Sequence, residues 1–277
     1  MSENFRKYFI LNGEVKEDVY FDDNIITRGK SLYEVIRIID GYPLFLKRHM
    51  KRLKNSARVT DLKLWLNEEQ IKSCIFKLIE VNGEDIGNIK LIFNYYNGEL
   101  NFLCYYIKHN YPDKKSYEEG VKTILYHGER NNPNAKVINM DFRHNVDIKI
   151  KESSAYEAIL VDNQGFITEG SRSNIFLIKG NKVYTAPLKA VLPGTRRDVI
   201  IHLCKKLSYE VIEKEINYKD IADFDALFIS GTSPKVLPIN KVDNIDYNSS
   251  KNAVVKNLMN AYDQEVTMDI EEFKNNK

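Results

Sequence analysis

Four features, far apart in a chain of 277 residues, could act on one small molecule. Arg52, in a basic helical stretch, offers a cation to a phosphate. Lys136, in an Asn/Pro-rich loop, offers an amine to an aldehyde, and Glu169, just beyond a strand, offers a carboxylate to a ring nitrogen. Leu192-Pro193-Gly194-Thr195 reads as a turn opening a helix, whose first amides suit the same phosphate. Each is ordinary alone; together they answer the needs of pyridoxal 5′-phosphate.

The elements that must position these groups can be read in outline. Tyr8 to Leu11 followed by Asn12-Gly13 predicts a strand and a tight hairpin, and Asn97-Gly98 predicts a second hairpin between Ile89–Tyr95 and Leu100–Ile107. Between Leu44 and Ala57, the apolar residues Leu46, Met50, Leu53 and Ala57 recur at helical spacing. His49, Arg52 and Ser56 form a separate polar stripe on that helix. Strand pairs around Asp162–Gly165 and around Gly180-Asn181 predict a meander in the second half. A helix is expected from about Thr195 to Leu207, a strand at Ala226 to Ile229, and a last helix from about Lys251 to Tyr262. The polar, proline-bearing stretch near residue 113 divides the chain into a small domain 1–112, a linker 113–119 and a larger domain 120–277.

Composition narrows the function. With 43% hydrophobic and 29% charged residues the chain can bury a sizeable core. Its 41 basic and 39 acidic side chains nearly cancel, which argues against nucleic acid or a membrane surface as partner and for a small-molecule substrate. Cys74, Cys104 and Cys204 are odd in number and widely spaced, so no disulfide framework or metal site is expected and a reducing, cytoplasmic setting is. No run is long and apolar enough to span a bilayer, and the first residues lack the apolar core of a signal peptide.

Six blocks, in order, carry a resemblance. They are Leu32-Tyr33-Glu34-Val35-Ile36-Arg37, the run from His49 to Ser56, Lys136-Val137-Ile138-Asn139, Glu157 to Leu160 with Thr168-Glu169-Gly170-Ser171 and Ser173-Asn174-Ile175-Phe176, Leu192-Pro193-Gly194, and Ser230-Gly231-Thr232. The chain resembles the fold type IV pyridoxal-phosphate enzymes, the class IV aminotransferases that include branched-chain aminotransferase, D-amino-acid transaminase and aminodeoxychorismate lyase. The resemblance implies an α+β, two-domain fold, with a small N-terminal α/β domain and a larger β-rich C-terminal domain with helices. It implies transfer of an amino group between an amino acid and a 2-keto acid, in a homodimer. Lys136 would be the catalytic lysine, forming a Schiff base with the cofactor aldehyde and then moving a proton. Glu169 would pair with the pyridine nitrogen, and Arg52, Thr195, Arg196 and Thr232 would lie on the phosphate side. Tyr33, Gly231 and Ser233 would lie on the substrate side. Lys149 and Lys151 are the nearby rivals of Lys136, without its asparagine three residues on.

The chain also departs from the family's pattern. Met140 stands where a tyrosine often follows the lysine motif, and Arg196 where a threonine is usual. The tyrosine-x-arginine pair of branched-chain aminotransferases appears as Asn88-Ile89-Lys90, and the arginine and histidine of D-amino-acid transaminase have no counterpart between Tyr95 and Leu100. A lyase of the aminodeoxychorismate type, or a cofactor-binding protein of low turnover, are the alternative readings.

Overall fold

The computed structural model describes residues 2–129, 133–138 and 140–275, the side chain of Met140 excepted. Asn139, fourth residue of the lysine motif, lies outside the described residues. The fold is α+β, and contacts divide it into two compact units. The first comprises residues 1–110, 135–138 and 266–277, the second residues 111–134 and 139–265.

In the first unit, β1 (Tyr8–Leu11), β2 (Glu14–Glu17), β3 (Lys30–Ile39), β4 (Tyr42–Pro43), β5 (Gly87–Tyr96) and β6 (Glu99–Ile107) form one sheet in the order β2-β1-β6-β5-β3-β4. Both expected Asn-Gly turns are present: Asn12, Gly13, Asn97 and Gly98 all take positive φ, as turns that match strand twist require. The helices are α1 (Asp23–Thr27), α2 (Leu46–Val59) and α3 (Glu68–Asn82). α2 buries the apolar stripe read from the sequence, and α3 starts at a capping box in which Asn67 and Gln70 exchange side-chain and backbone hydrogen bonds. Leu46, Met50, Leu53, Ile71, Ile75 and Leu78 pack on Leu32, Ile36 and Ile38 of β3. The opposite face of the sheet carries a second cluster, with Phe9, Ile92, Leu103 and Tyr105 at its centre and Tyr33 and Ile138 against it. Strand alternation therefore sends Tyr33 and Glu34 to different faces.

The second unit opens with α4 (Lys114–Glu119), so the stretch expected as a linker is helical, with the Asp113 side chain accepting from the Ser116 amide at its start. β7 (Val121–His127), α5 (Met140–Glu152), β8 (Glu157–Val161), β9 (Ile167–Gly170), β10 (Asn174–Lys179) and β11 (Lys182–Thr185) follow. Then come α6 (Thr195–Lys206), β12 (Glu210–Glu213), β13 (Ala226–Gly231), β14 (Lys235–Val242), β15 (Ile245–Asp246) and α7 (Ala253–Asn275), whose residues from 266 on belong to the first unit. The strands make a nine-stranded sheet, β12-β11-β10-β13-β14-β7-β8-β9, with β15 on β14. The expected meander holds for β8–β9 and β10–β11, which are antiparallel. It does not hold throughout, because β7–β8, β7–β14 and β11–β12 are parallel. α5 and α6 are the crossovers that parallel neighbours need. α7 runs well past Tyr262, since Val266 and Ile270 continue its buried stripe. Among the described residues no helix is long and apolar enough to cross a membrane.

Candidate active site

Lys136 is fixed through its backbone before its side chain does anything. β4 covers only the far end of β3, and the free edge near Leu32 is taken by residues 136–138. There Val137 bridges Leu32, the Tyr33 amide donates to the Lys136 carbonyl at 3.1 Å, and the Ile138 amide donates to the Ser31 carbonyl at 3.3 Å. The Lys136 amide donates to Ser56 Oγ of α2 at 3.2 Å. With its peptide so held, the Lys136 ammonium lies 4.5 Å from the centre of the Tyr33 ring, a cation–π distance.

On the other face, α2 aims its polar stripe at Glu34. Arg52 grips the carboxylate with two nitrogens, Nε to Oε1 at 2.8 Å and Nη2 to Oε2 at 2.6 Å, and His49 Nδ1 meets Oε2 at 2.7 Å. All three side chains are buried. Burial pushes the Glu34 carboxyl up, but the Arg52 charge and hydrogen bonds, helped by His49, outweigh it and hold the group at about 2. His49 is a hydrogen-bonding brace, as its place in the stripe suggests. Arg52 retains Nη1, which no partner among the described residues engages, as the nitrogen it can offer a ligand.

In the second unit the organising residue is Asn174. Its Nδ2 donates to the Leu192 carbonyl at 3.2 Å and, weakly, to Glu169 Oε2 at 3.4 Å, while the Leu192 amide reaches the same Oε2 at 3.1 Å. Thus Glu169, 3% exposed at the end of β9, is tied directly to the turn that starts α6. Gly194 caps α6 without a side-chain hydrogen bond, and a Cβ there would fall 1.9 Å from Asn174 Oδ1, so any side chain at this position must displace the Asn174 amide. Thr195 and Arg196 are buried in the first turn, Arg196 Nη1 donating to Thr195 Oγ1 at 3.1 Å. Asn174 is also in register with Ser230 on β13, and β13 leads through Gly231 into the turn that carries Thr232 and Ser233.

Buried Glu157 sets the loop between Glu169 and Asn174. Its Oε1 accepts from Ser171 Oγ at 2.5 Å, and its Oε2 from the Arg172 amide and Ser173 Oγ, each at 3.2 Å. Burial raises its carboxyl above the ordinary range, while the Ser171 hydroxyl and the Arg143 charge pull the other way.

These donors suit a phosphorylated pyridine. The helix start supplies amides without intrahelical acceptors and a positive dipole end. Ser230 Oγ is buried and makes no hydrogen bond among the described residues, which leaves a hydroxyl for a ligand. Glu169 supplies a sheltered carboxylate and Lys136 a positioned amine. The structure thus groups Tyr33, Arg52 and Lys136 within the first unit, and Glu169, Thr195, Arg196, Gly231, Thr232 and Ser233 within the second. Glu34, Asn174 and Glu157 stand within the sequence blocks that carry the resemblance, but those blocks give none of them a role. Glu34 had a visible signal: it is an acid in the buried phase of a strand, between Leu32 and Ile36.

Comparison with known proteins identifies the family and the fold. The chain is 29% identical over 251 residues to a protein of Methanocaldococcus jannaschii named putative branched-chain-amino-acid aminotransferase, covering 85% of each. It is 28% identical over 250 residues to D-alanine aminotransferase of Bacillus licheniformis, covering 84% of this chain and 88% of that one. Its fold matches that of the T.th. branched-chain amino acid aminotransferase, solved with pyridoxamine 5′-phosphate, with a TM-score of 0.83 at 22% identity over 96% of each chain. The profile of the amino-transferase class IV family matches residues 31–242, and the chain belongs to that family.

Proposed function

We propose that this protein transfers an amino group between an amino acid and a 2-keto acid, with pyridoxal 5′-phosphate as cofactor. The observation that carries the reading is Lys136, an amine whose peptide is locked to β3 and α2 and whose Nζ is set over Tyr33. The names of the two relatives and the ligand of the solved structure of like fold support it. When bound, the cofactor supplies a sink for the electron pair left at the substrate Cα. Lys136 would anchor the cofactor through its aldehyde carbon and, once released as a free amine, would take the proton from the substrate Cα and hand it to that same cofactor carbon. Buried Glu169 holds a proton on the ring nitrogen by its charge. Arg52 Nη1, the α6 amides, Thr195, Arg196 and Thr232 bind the phosphate. Tyr33, Gly231 and Ser233 line the substrate side. The proposal extends to a cytoplasmic homodimer, with which the three free thiols are in keeping.

The test supplies the loaded protein with a panel of L- and D-amino acids, with and without a 2-keto acid, and measures both products. Amine transfer is expected only when the keto acid is present, with one new amino acid formed per donor consumed. Sustained turnover without a keto acid, with expulsion of a β-substituent, would replace transfer by elimination.

A further inference from the structure

The face of the first-unit sheet that carries Lys136 and Tyr33 bears a second amine. Lys90 on β5 lies in the row of Val35 on β3 and Tyr105 on β6, one row from Tyr33. Its Nζ is 5.4 Å from the centre of the same Tyr33 ring that Lys136 Nζ approaches from 4.5 Å. Lys90 is only 8% exposed. A buried ammonium needs an anion close by. Here the anion is Glu3, whose Oε1 lies 2.5 Å from Lys90 Nζ and whose Oε2 accepts from Tyr105 Oη at 2.9 Å.

Glu3 does not reach this place by accident of a loose end. Asn4 bridges Ile107, the Phe5 amide donates to the Tyr106 carbonyl at 2.8 Å, and the Glu3 amide donates to Asp23 Oδ1 at 2.8 Å. The segment is thereby laid along the end of β6, with the carboxylate over the amine. The two partners are unequally covered, since the Glu3 side chain is 37% exposed and that of Lys90 is 10% exposed. The cation is built into the sheet, whereas the carboxylate belongs to an edge segment and is the exchangeable member.

We infer that Glu3 is a tethered carboxylate that occupies Lys90, neutralises the wall beyond Tyr33 and so selects against substrates with an acidic side chain. A free carboxylate arriving at this wall must displace Glu3 from Lys90 before it gains an ion pair. An aliphatic group meets no such penalty. The inference rests on the proposed amino-group transfer only in taking Tyr33 as substrate-side.

The experiment compares glutarate with 4-methylvalerate as ligands of the cofactor-loaded protein by calorimetry. Each has one carboxylate for the common subsite, and only glutarate has a second. Glu3→Gln, which keeps an acceptor for Tyr105, should tighten glutarate about tenfold or more while moving 4-methylvalerate less than about twofold. In the double variant Glu3→Gln/Lys90→Gln the gain should vanish. A glutarate affinity unchanged by Glu3→Gln, or a gain that survives loss of Lys90, overturns the inference. Turnover of the amino acid panel in the same preparations keeps the two ideas apart. Transfer without the affinity change sinks the Glu3 role alone, and the affinity change without transfer sinks the proposed reaction while leaving the anion subsite standing.

Discussion

Arg52→Ala should lower the unfolding free energy by about 3–5 kcal/mol, in addition to weakening cofactor binding about ten- to a hundredfold. The stability loss comes from Glu34. With Arg52 gone, a fully buried carboxylate keeps only His49, and an ion stranded in an apolar interior costs far more than a surface pair would. The double variant Glu34→Gln/Arg52→Met removes both charges and should recover most of the stability while leaving the cofactor loosely held. Chemical unfolding of the cofactor-free protein and cofactor titration separate the two effects. A stability loss below about 1 kcal/mol for Arg52→Ala would mean that the ion pair contributes no more than an exposed one. The same network has an acid signature. Because Glu34 sits near 2 in the fold against an ordinary 4.5, its contribution is complete above about pH 4.5 and drains away as the pH falls toward about 2. Glu157, raised by burial, works in the opposite sense, so the acid limb is read as the difference between the parent and Glu34→Gln.

Glu169→Gln should slow single-turnover release of keto acid from a saturating amino donor by about a hundredfold or more. The amide is close to isosteric and can still meet the ring nitrogen, and it can keep Asn174 and the Leu192 amide as neighbours. What it lacks is the negative charge that favours a protonated ring. In a site sheltered from water such a charge is worth a few kcal/mol, and each ~1.4 kcal/mol on the barrier is tenfold in rate. The variant should fold with parental stability to within about 1 kcal/mol, because the amide oxygen can accept the same two hydrogen bonds from Asn174 and Leu192. An unchanged single-turnover rate would make Glu169 a brace of the Leu192 turn and nothing more.

Much of the site was legible because each piece depends on local pattern. The α2 stripe His49, Arg52 and Ser56 is visible at helical spacing, and all three residues prove to be engaged, two with Glu34 and one with the Lys136 amide. The Pro193-Gly194 turn and the start of α6 at Thr195 follow from short-range rules. What the stripe faces is a tertiary fact. Arg52 reads as a phosphate ligand, and only the packing of α2 on β3 shows that two of its nitrogens are already bound to a carboxylate. α3 is absent from the sequence reading although its signals are local: Asn67 and Gln70 form its capping box, and Ile71, Ile75, Leu78 and Ile79 recur at helical spacing. The parallel strand pairs could not be read from strand composition, since they depend on where α5 and α6 return the chain. Glu3 and Lys90, 87 residues apart, had no pattern to join them.

The claim on which the rest depends is that Lys136 is the amine that holds the cofactor. Borohydride reduction of the loaded protein, followed by proteolysis and mass spectrometry, reads this directly. The account predicts one stoichiometric phosphopyridoxyl group on the peptide that contains Lys136, and its loss in Lys136→Ala. A label carried instead by Lys149 or Lys151, or one that persists when Lys136 is replaced, would contradict it.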